Sequence, residues 1–368
     1  MKKTLLVAAL TVGFAGLAHA ETSVTLYGIA DAGIGYQKLS SNDGPDSKKI
    51  GLVDGIEAGN RWGLKGTEDL GNGLQAVFQL ESGYSISNGT QGQFGTGTSE
   101  RLFGRQATIG LKSAAWGQFD LGRQTNIASK YFAGVANPFG AGFSTAKTGT
   151  TFGAADTVRY DNMAMYQTPS FSGFQFGVGY SFDAAGSQIA KVSGEADRND
   201  RAITTGLRYG NGPIAVALTY DNLKTANNAA GTLDTGTINA WNLGGSYDFE
   251  VVKLHLGVGQ SRNGLFTGGG SAGNAGAIFY DGAKINSYTV GVSAPIGAGS
   301  LLASWGLADP KGSLSDDGAK KQQVYSLGYT YSLSKRTDLY ALGSYVKNNA
   351  FEDGDKSTVA AVGIKHAF

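Results

Sequence analysis

TVAAVGIKHAF, residues 358–368, ends the chain. Counted back from the terminus, Phe368, His366, Ile364, Val362 and Ala360 alternate with Ala367, Lys365, Gly363, Ala361 and Val359. One set is mostly apolar and aromatic; the other is small, with one charge. That is the period-two pattern of a strand with two unlike faces. An aromatic residue at the carboxyl terminus of such a strand suits the closing strand of a membrane β-barrel, with one face to lipid and one to a lumen. A soluble domain can also end on a strand, so the rest of the chain decides.

The same alternation recurs upstream. Phe174, Phe176, Val178, Tyr180 and Phe182 alternate with Gln175, Gly177, Gly179 and Ser181. Ile214, Val216, Leu218 and Tyr220 share one face, as do Tyr325, Leu327, Tyr329, Tyr331 and Leu333. Leu254, Leu256 and Val258 oppose Lys253, His255 and Gly257. Tyr at strand ends is the residue of interfacial girdles. Short turns fall at residues 70–73, 114–117, 169–173, 210–213, 248–251, 297–300 and 334–337. Longer polar connections fall near 38–59, 86–98, 125–155, 183–200, 225–236, 263–283, 310–320 and 348–356. Short and long breaks alternate and together join about sixteen strands, as in a barrel with short turns on one side of a membrane and long loops on the other. A barrel of that size leaves an aqueous channel. The expected fold is therefore all-β, a transmembrane antiparallel barrel in one domain over residues 21–368.

The amino-terminal end fits that placement. Lys2 and Lys3 precede an apolar run that ends in Ala18-His19-Ala20. This reads as a secretory leader, residues 1–20, too short to span a bilayer. The chain has no cysteine, so no disulfide staples it. Glycine is abundant (58) and proline scarce (6), without a Gly-X-Y period, which excludes collagen. Mean hydropathy is −0.14, as expected where only alternate residues meet lipid. Lys+Arg number 30 and Asp+Glu 29, two of the lysines in the leader, so net charge gives no case for nucleic acid.

Residues 21–36 (ETSVTLYGIADAGIGY), 60–79 (NRWGLKGTEDLGNGLQAVFQ), 103–111 (FGRQATIGL), 117–124 (GQFDLGRQ) and 363–368 (GIKHAF) resemble the general porins of β-proteobacteria and Neisseria. The resemblance implies a sixteen-stranded barrel, assembled as a homotrimer, with the third loop folded into the lumen. It also implies contact with outer-membrane lipid and lipopolysaccharide, insertion by the barrel-assembly machinery with Phe368 as its terminal signal, and passage of small solutes and ions. No cofactor is implied. In that family wall arginines face the third loop and favour anions.

That loop corresponds to residues 125–155. It contains Lys130 and Lys147 and no Asp or Glu. Its Pro138-Phe139-Gly140 resembles the tip of a constriction loop, although such tips usually carry an acid. The alternative reading is a plain exposed loop. On the wall, Arg61 and Lys65 share the face opposite Trp62 and Leu64 and read inward. Val158, Tyr160, Ala164 and Tyr166 read outward, which turns Arg159 inward. Arg105 matches the family motif, yet its parity follows Ala107, Ile109 and Leu111, so a bulge or a subunit contact has to intervene. Arg123 matches too, but follows Phe119 and Leu121 and reads equally as a subunit contact. For each of these a solvated rim charge is the alternative.

Other signals carry little. The Gly-rich run at residues 268–273 matches G-x-G-x-x-G, but no helix pattern follows it. Beyond the leader the only histidines are His255 and His366, so no metal set is evident. Asp316 and Asp317 are an exposed acidic pair. No Ser-His-Asp constellation appears, so an enzyme is not expected. The expected function is a general diffusion channel with a basic filter. The competing readings are a channel specific for one small organic anion or phosphate, and a surface protein whose long loops bind a partner.

Overall fold

The computed structural model of the protein describes residues 23–92, 101–186, 188–194, 197–226, 236–266 and 277–368. The leader and the run at 268–273 lie outside them. The strands are β1 (Ser23–Ser40), β2 (Ser47–Asp54), β3 (Arg61–Gly71), β4 (Leu74–Tyr84), β5 (Gln91–Gly92), β6 (Gln106–Ser113), β7 (Gly117–Thr125), β8 (Arg159–Gln167), β9 (Phe174–Ser181), β10 (Arg201–Asn211), β11 (Ile214–Lys224), β12 (Thr237–Asp248), β13 (Lys253–Phe266), β14 (Ala277–Ile296), β15 (Gly299–Gly312), β16 (Gln322–Ser332), β17 (Thr337–Lys347) and β18 (Lys356–Ala367).

All pairings are antiparallel, and β18 returns to β1 with Ile29 opposite Ala367 and Ser40 opposite Lys356. Closure removes the free sheet edge. β1 pairs with β2 through its second half and with β3 through its first, so β2 and β3 are two lengths of one barrel strand, interrupted at residues 55–60. β5 only extends the edge of β4. Counted this way the barrel has sixteen strands. The seven short turns fall where the sequence puts them. In the β3–β4 turn Asn72 and Gly73 both have positive φ, 54° and 75°, the geometry that Asn-Gly tolerates best in a tight hairpin. The expected long connection at 38–59 is corrected: residues 47–54 form β2. Only Ile50 and Leu52 mark its outer face, and three polar residues open it, so alternation alone is weak there.

The outer face is apolar: Ile34, Ile50, Leu218, Leu256, Leu327 and Val362 are all exposed on it. The inner face is small or polar on most strands, with two exceptions, both under the connection between β7 and β8. That connection contains the short helices α1 (Ile127–Tyr131) and α2 (Ala133–Ala136) and folds inside the barrel. Its helices pack on β9–β14. Ile127, Phe132 and Phe152 are fully buried there with Tyr160, Met163 and Met165 of the wall. Gly244 makes room: a Cβ on it would stand 2.8 Å from the Phe132 ring. Farther on, Phe139 and Phe143 bury themselves with Val53, Leu302, Tyr340 and Leu342. A third short helix, α3 (Ser313–Asp316), caps the β15–β16 connection.

Candidate channel constriction

The inward loop is tied to the wall at both ends and in the middle. The Asn126 side chain accepts from Ser129 N (3.2 Å) and donates to Ala154 O (2.7 Å) and to Asp221 Oδ1 (2.8 Å). It thereby caps α1, joins the start of the loop to its end, and anchors both to β11. Ile127 N donates to Thr204 Oγ1 (2.8 Å), and the Ser287 and Gln322 side chains donate to the Thr151 and Thr150 carbonyls. His255 points inward, its Nδ1 3.0 Å from the Val135 carbonyl.

Across from the loop, register decides which side chains look in, because cross-strand partners share a face. Lys65 lies opposite Thr25 and Gln79, Gly63 opposite Tyr27 and Glu81, and Arg61 opposite Gly83. These residues form one polar surface. The Tyr27 hydroxyl donates to Glu81 Oε2 (3.0 Å) and accepts from Gln79 Nε2 (2.6 Å). Lys65 Nζ sits 5.3 Å from the Tyr27 ring centroid, a cation–π contact. Arg61 Nε donates to Gly59 O (2.8 Å), and a Cβ on Gly59 would come within 3.3 Å of the Arg105 guanidinium.

Arg105 resolves its own parity conflict by lying ahead of β6, which begins at Gln106. From there its Nε donates to Glu81 Oε1 at 2.7 Å, on the inner surface. Arg159 Nε donates to the Arg105 carbonyl at 3.0 Å. Arg105 acts electrostatically on both Arg61 and Arg159. The four basic residues picked out in the sequence, Arg61, Lys65, Arg105 and Arg159, therefore stand in one neighbourhood.

The route to Arg159 needs correcting. Val158 and Tyr160 do not face lipid; both are fully buried against the loop. Asn162, at φ 48°, kinks β8, and beyond it Ala164 and Tyr166 resume the outer face opposite Leu121 and Phe119. Arg123 is buried within the chain. The register shifts between Gly122 and Gln124, and Arg123 donates to Gly104 O (2.8 Å) and Asp161 Oδ1 (2.6 Å). Arg101 forks onto the same carboxylate at 2.9 and 2.7 Å. Alternation gives no hint of Glu81, Arg101 or Asp161 as partners, since each contact joins distant segments.

The loop residues separate in role. Lys130 is half-buried between loop and wall, 2.9 Å from Gln124 Oε1, and burial pulls its ammonium down to about 8, against the attraction of Asp120. Lys147 is paired: Asp156, one residue past the acid-free stretch, holds it at 2.6 Å. Pro138 and Phe139 face wall rather than water. Pro138 would meet a Cβ on Gly291 at 2.4 Å, and Phe139 fills the second apolar cluster. Gly140 turns the chain at φ 56°, and its carbonyl accepts from Thr148 N and Oγ1. Phe368 exchanges backbone hydrogen bonds with Gly28 on β1. Among the described residues no group of three or more His, Cys, Asp or Glu converges as a metal site requires.

Comparison with known proteins agrees with this architecture. The family model for Gram-negative porins matches residues 5–350. An outer membrane porin protein of Bordetella pertussis is 55% identical over the whole of both chains. Outer membrane porin protein 32 of Delftia acidovorans is 33% identical, again over the whole of both. The solved anion-selective porin from Comamonas acidovorans superposes with a TM-score of 0.74 at 29% identity, covering 95% of this chain and 100% of that one. The closed barrel, the inward loop and these matches together place the chain in the Gram-negative porin family, as a general porin channel of the outer membrane.

Proposed function

We propose that this porin passes small hydrophilic solutes and ions by passive diffusion with a preference for anions, and that Arg61, Lys65, Arg105 and Arg159 with Lys130 form its filter. One observation carries the reading: the four wall groups gather across from a loop that bears Lys130 and not a single carboxylate. Among the described residues Glu81, Asp31 and Asp120 oppose them nearby. The relatives' anion-selective member supports the same sign.

The physics favours weak contacts. Two like charges about 4 Å apart in a wet pore repel by only about 1 kcal/mol. A passing anion relieves that repulsion and accepts from guanidinium N–H groups. It must also leave, so each site has to stay shallow. No residue here performs a chemical step. A homotrimer is the assembly we propose, in keeping with the trimer form recorded for an outer membrane protein of Vibrio cholerae of the same fold; residues 1–20 act as a cleaved leader. Zero-current potentials in planar bilayers under a salt gradient test the reading. A potential of anion-preferring sign supports it, and a cation-preferring sign overturns it.

A further inference from the structure

The amine of Lys130 stands inside the barrel on α1 and meets only neutral groups. Its Nζ donates to Gln124 Oε1 at 2.9 Å and to the Met165 sulfur at 3.3 Å. Among the described residues no carboxylate is ion-paired with it. The charged groups on the surrounding elements stand farther off. Asp120 on β7 attracts it, and Lys112 on β6 acts on Asp120 in turn. Arg208 on β10 lies over the ring of Tyr131, 4.8 Å from its centroid. Asp221 on β11 is taken by Asn126. Asp156, at the end of the loop, is taken by Lys147. Toward β9, α1 meets the uncharged Gly177. An amine so placed loses water without gaining a counter-charge, so it gives up its proton early. Burial brings Lys130 down to about 8. At that pH about half of its amines carry a free lone pair, against under about 1% for an exposed lysine. Lys130 is only half-buried, so the lumen reaches it.

A second observation concerns the donors beside it. Gln124 is fully buried, and its Oε1 accepts from Lys130. The Nε2 of the same amide has no hydrogen-bond partner among the described residues. Tyr160 lies opposite Gln124 across β7 and β8, and it too is fully buried with an unpartnered hydroxyl. Buried donors are costly to leave without an acceptor. The setting of Lys130 thus lacks an acceptor with more than one oxygen.

We infer that Lys130 is a modification site whose uncharged amine reversibly adds carbon dioxide from the lumen, the resulting carbamate being held by Gln124. The Nζ lone pair attacks the carbon of carbon dioxide and forms the new C–N bond. One C=O electron pair moves onto oxygen, and a proton leaves Nζ for water. The product keeps one N–H for Gln124 Oε1 and gains two acceptor oxygens, for which Gln124 Nε2 is the unused donor on the same amide. Carbon dioxide suits the site by size. The amine is flanked at contact distance by Gln124 and Met165, which are 0% and 1% exposed, and a bulky aldehyde would have to displace them. Each addition replaces a cation by an anion at the loop, so anion preference falls as carbon dioxide rises. That consequence rests on the filter reading proposed above; the adduct itself does not.

The test exposes folded protein, at a pH of about 8, to isotopically labelled carbon dioxide. Carbamates are trapped by ethylation with triethyloxonium and located by peptide mass spectrometry. We expect label on Lys130 roughly tenfold or more above that on the exposed Lys48, Lys347 and Lys356. Gln124→Leu should lower it several-fold, and Lys130→Arg should remove it. A second readout is the zero-current potential in planar bilayers at the same fixed pH, with and without carbon dioxide and its bicarbonate. Lys130→Arg keeps the positive charge without a nucleophilic amine, so it shows only what bicarbonate does as a current carrier. The wild type should shift further than Lys130→Arg, away from anions. No label on Lys130, or equal label on the exposed lysines, overturns the inference. An equal shift in wild type and Lys130→Arg overturns the consequence for ion flow. Label on Lys130 with an unmoved potential supports the site and counts instead against Lys130 as part of the filter.

Discussion

The ring of Phe368 lies across Gly28 at the seam where the barrel closes. Gly28 N donates to Phe368 O at 3.0 Å and Phe368 N to Gly28 O at 3.1 Å. A Cβ on Gly28 would stand 2.2 Å from the ring and 2.7 Å from the Arg61 carbonyl. Gly28→Val should therefore strain the seam by about 1–3 kcal/mol, the usual cost of overpacking. Heat-modifiable migration on gels should show it opening at lower temperature than wild type. Phe368→Ala keeps both backbone bonds and should melt close to wild type once refolded, while accumulating less in the outer membrane. Equal melting of Gly28→Val and wild type would contradict the seam geometry.

Asn126 holds both ends of the inward loop to Asp221. Asn126→Ala removes a helix cap worth about 1 kcal/mol and leaves a buried carboxylate short of a partner. The barrel should still form. Open-channel current should become noisier, and limited proteolysis should cut at Lys130 or Lys147. A channel as quiet as wild type would mean that the remaining loop contacts suffice.

Asp161 neutralises two arginines, Arg101 and Arg123. Asp161→Asn should destabilise the barrel by roughly 3 kcal/mol, because breaking a buried pair strands its cations. It should also strengthen anion preference. Thermal unfolding and the zero-current potential read the two effects separately.

Lys130 gives the pore a pH dependence. Its ammonium is held down to about 8 by burial, so it is charged below that value and neutral above it. Anion preference should weaken as pH rises through about 8. Lys130→Met should abolish that change while keeping the wall's contribution. A wild-type selectivity flat across this window would place Lys130 outside the ion path.

Much of the barrel was legible because lipid imposes period two on every outward face, from Phe174 to Phe368. The pattern also located the turns, where Gly, Asn and Pro interrupt it. It failed where the interior is not polar. Tyr160 and Val158 look like lipid-facing residues, yet they are apolar because a loop covers them. It failed again at the bulges near Arg123 and Asn162, which shift parity by one without a sequence signature. Of the site, Arg61 and Lys65 followed from alternation, and Arg105 from the resemblance. Glu81, Asp156 and Asp161 were not legible as partners, since each is brought in by folding from another segment.

The most direct test is the zero-current potential of the wild type beside that of an Arg61→Gln, Lys65→Gln, Arg159→Gln variant, under one salt gradient. None of the three has an ion-pair partner among the described residues, so conductance should persist. The account predicts an anion-preferring wild type whose preference falls toward that of the ions' free mobilities in the variant. An unchanged potential would contradict it, since selectivity would then arise somewhere other than this wall.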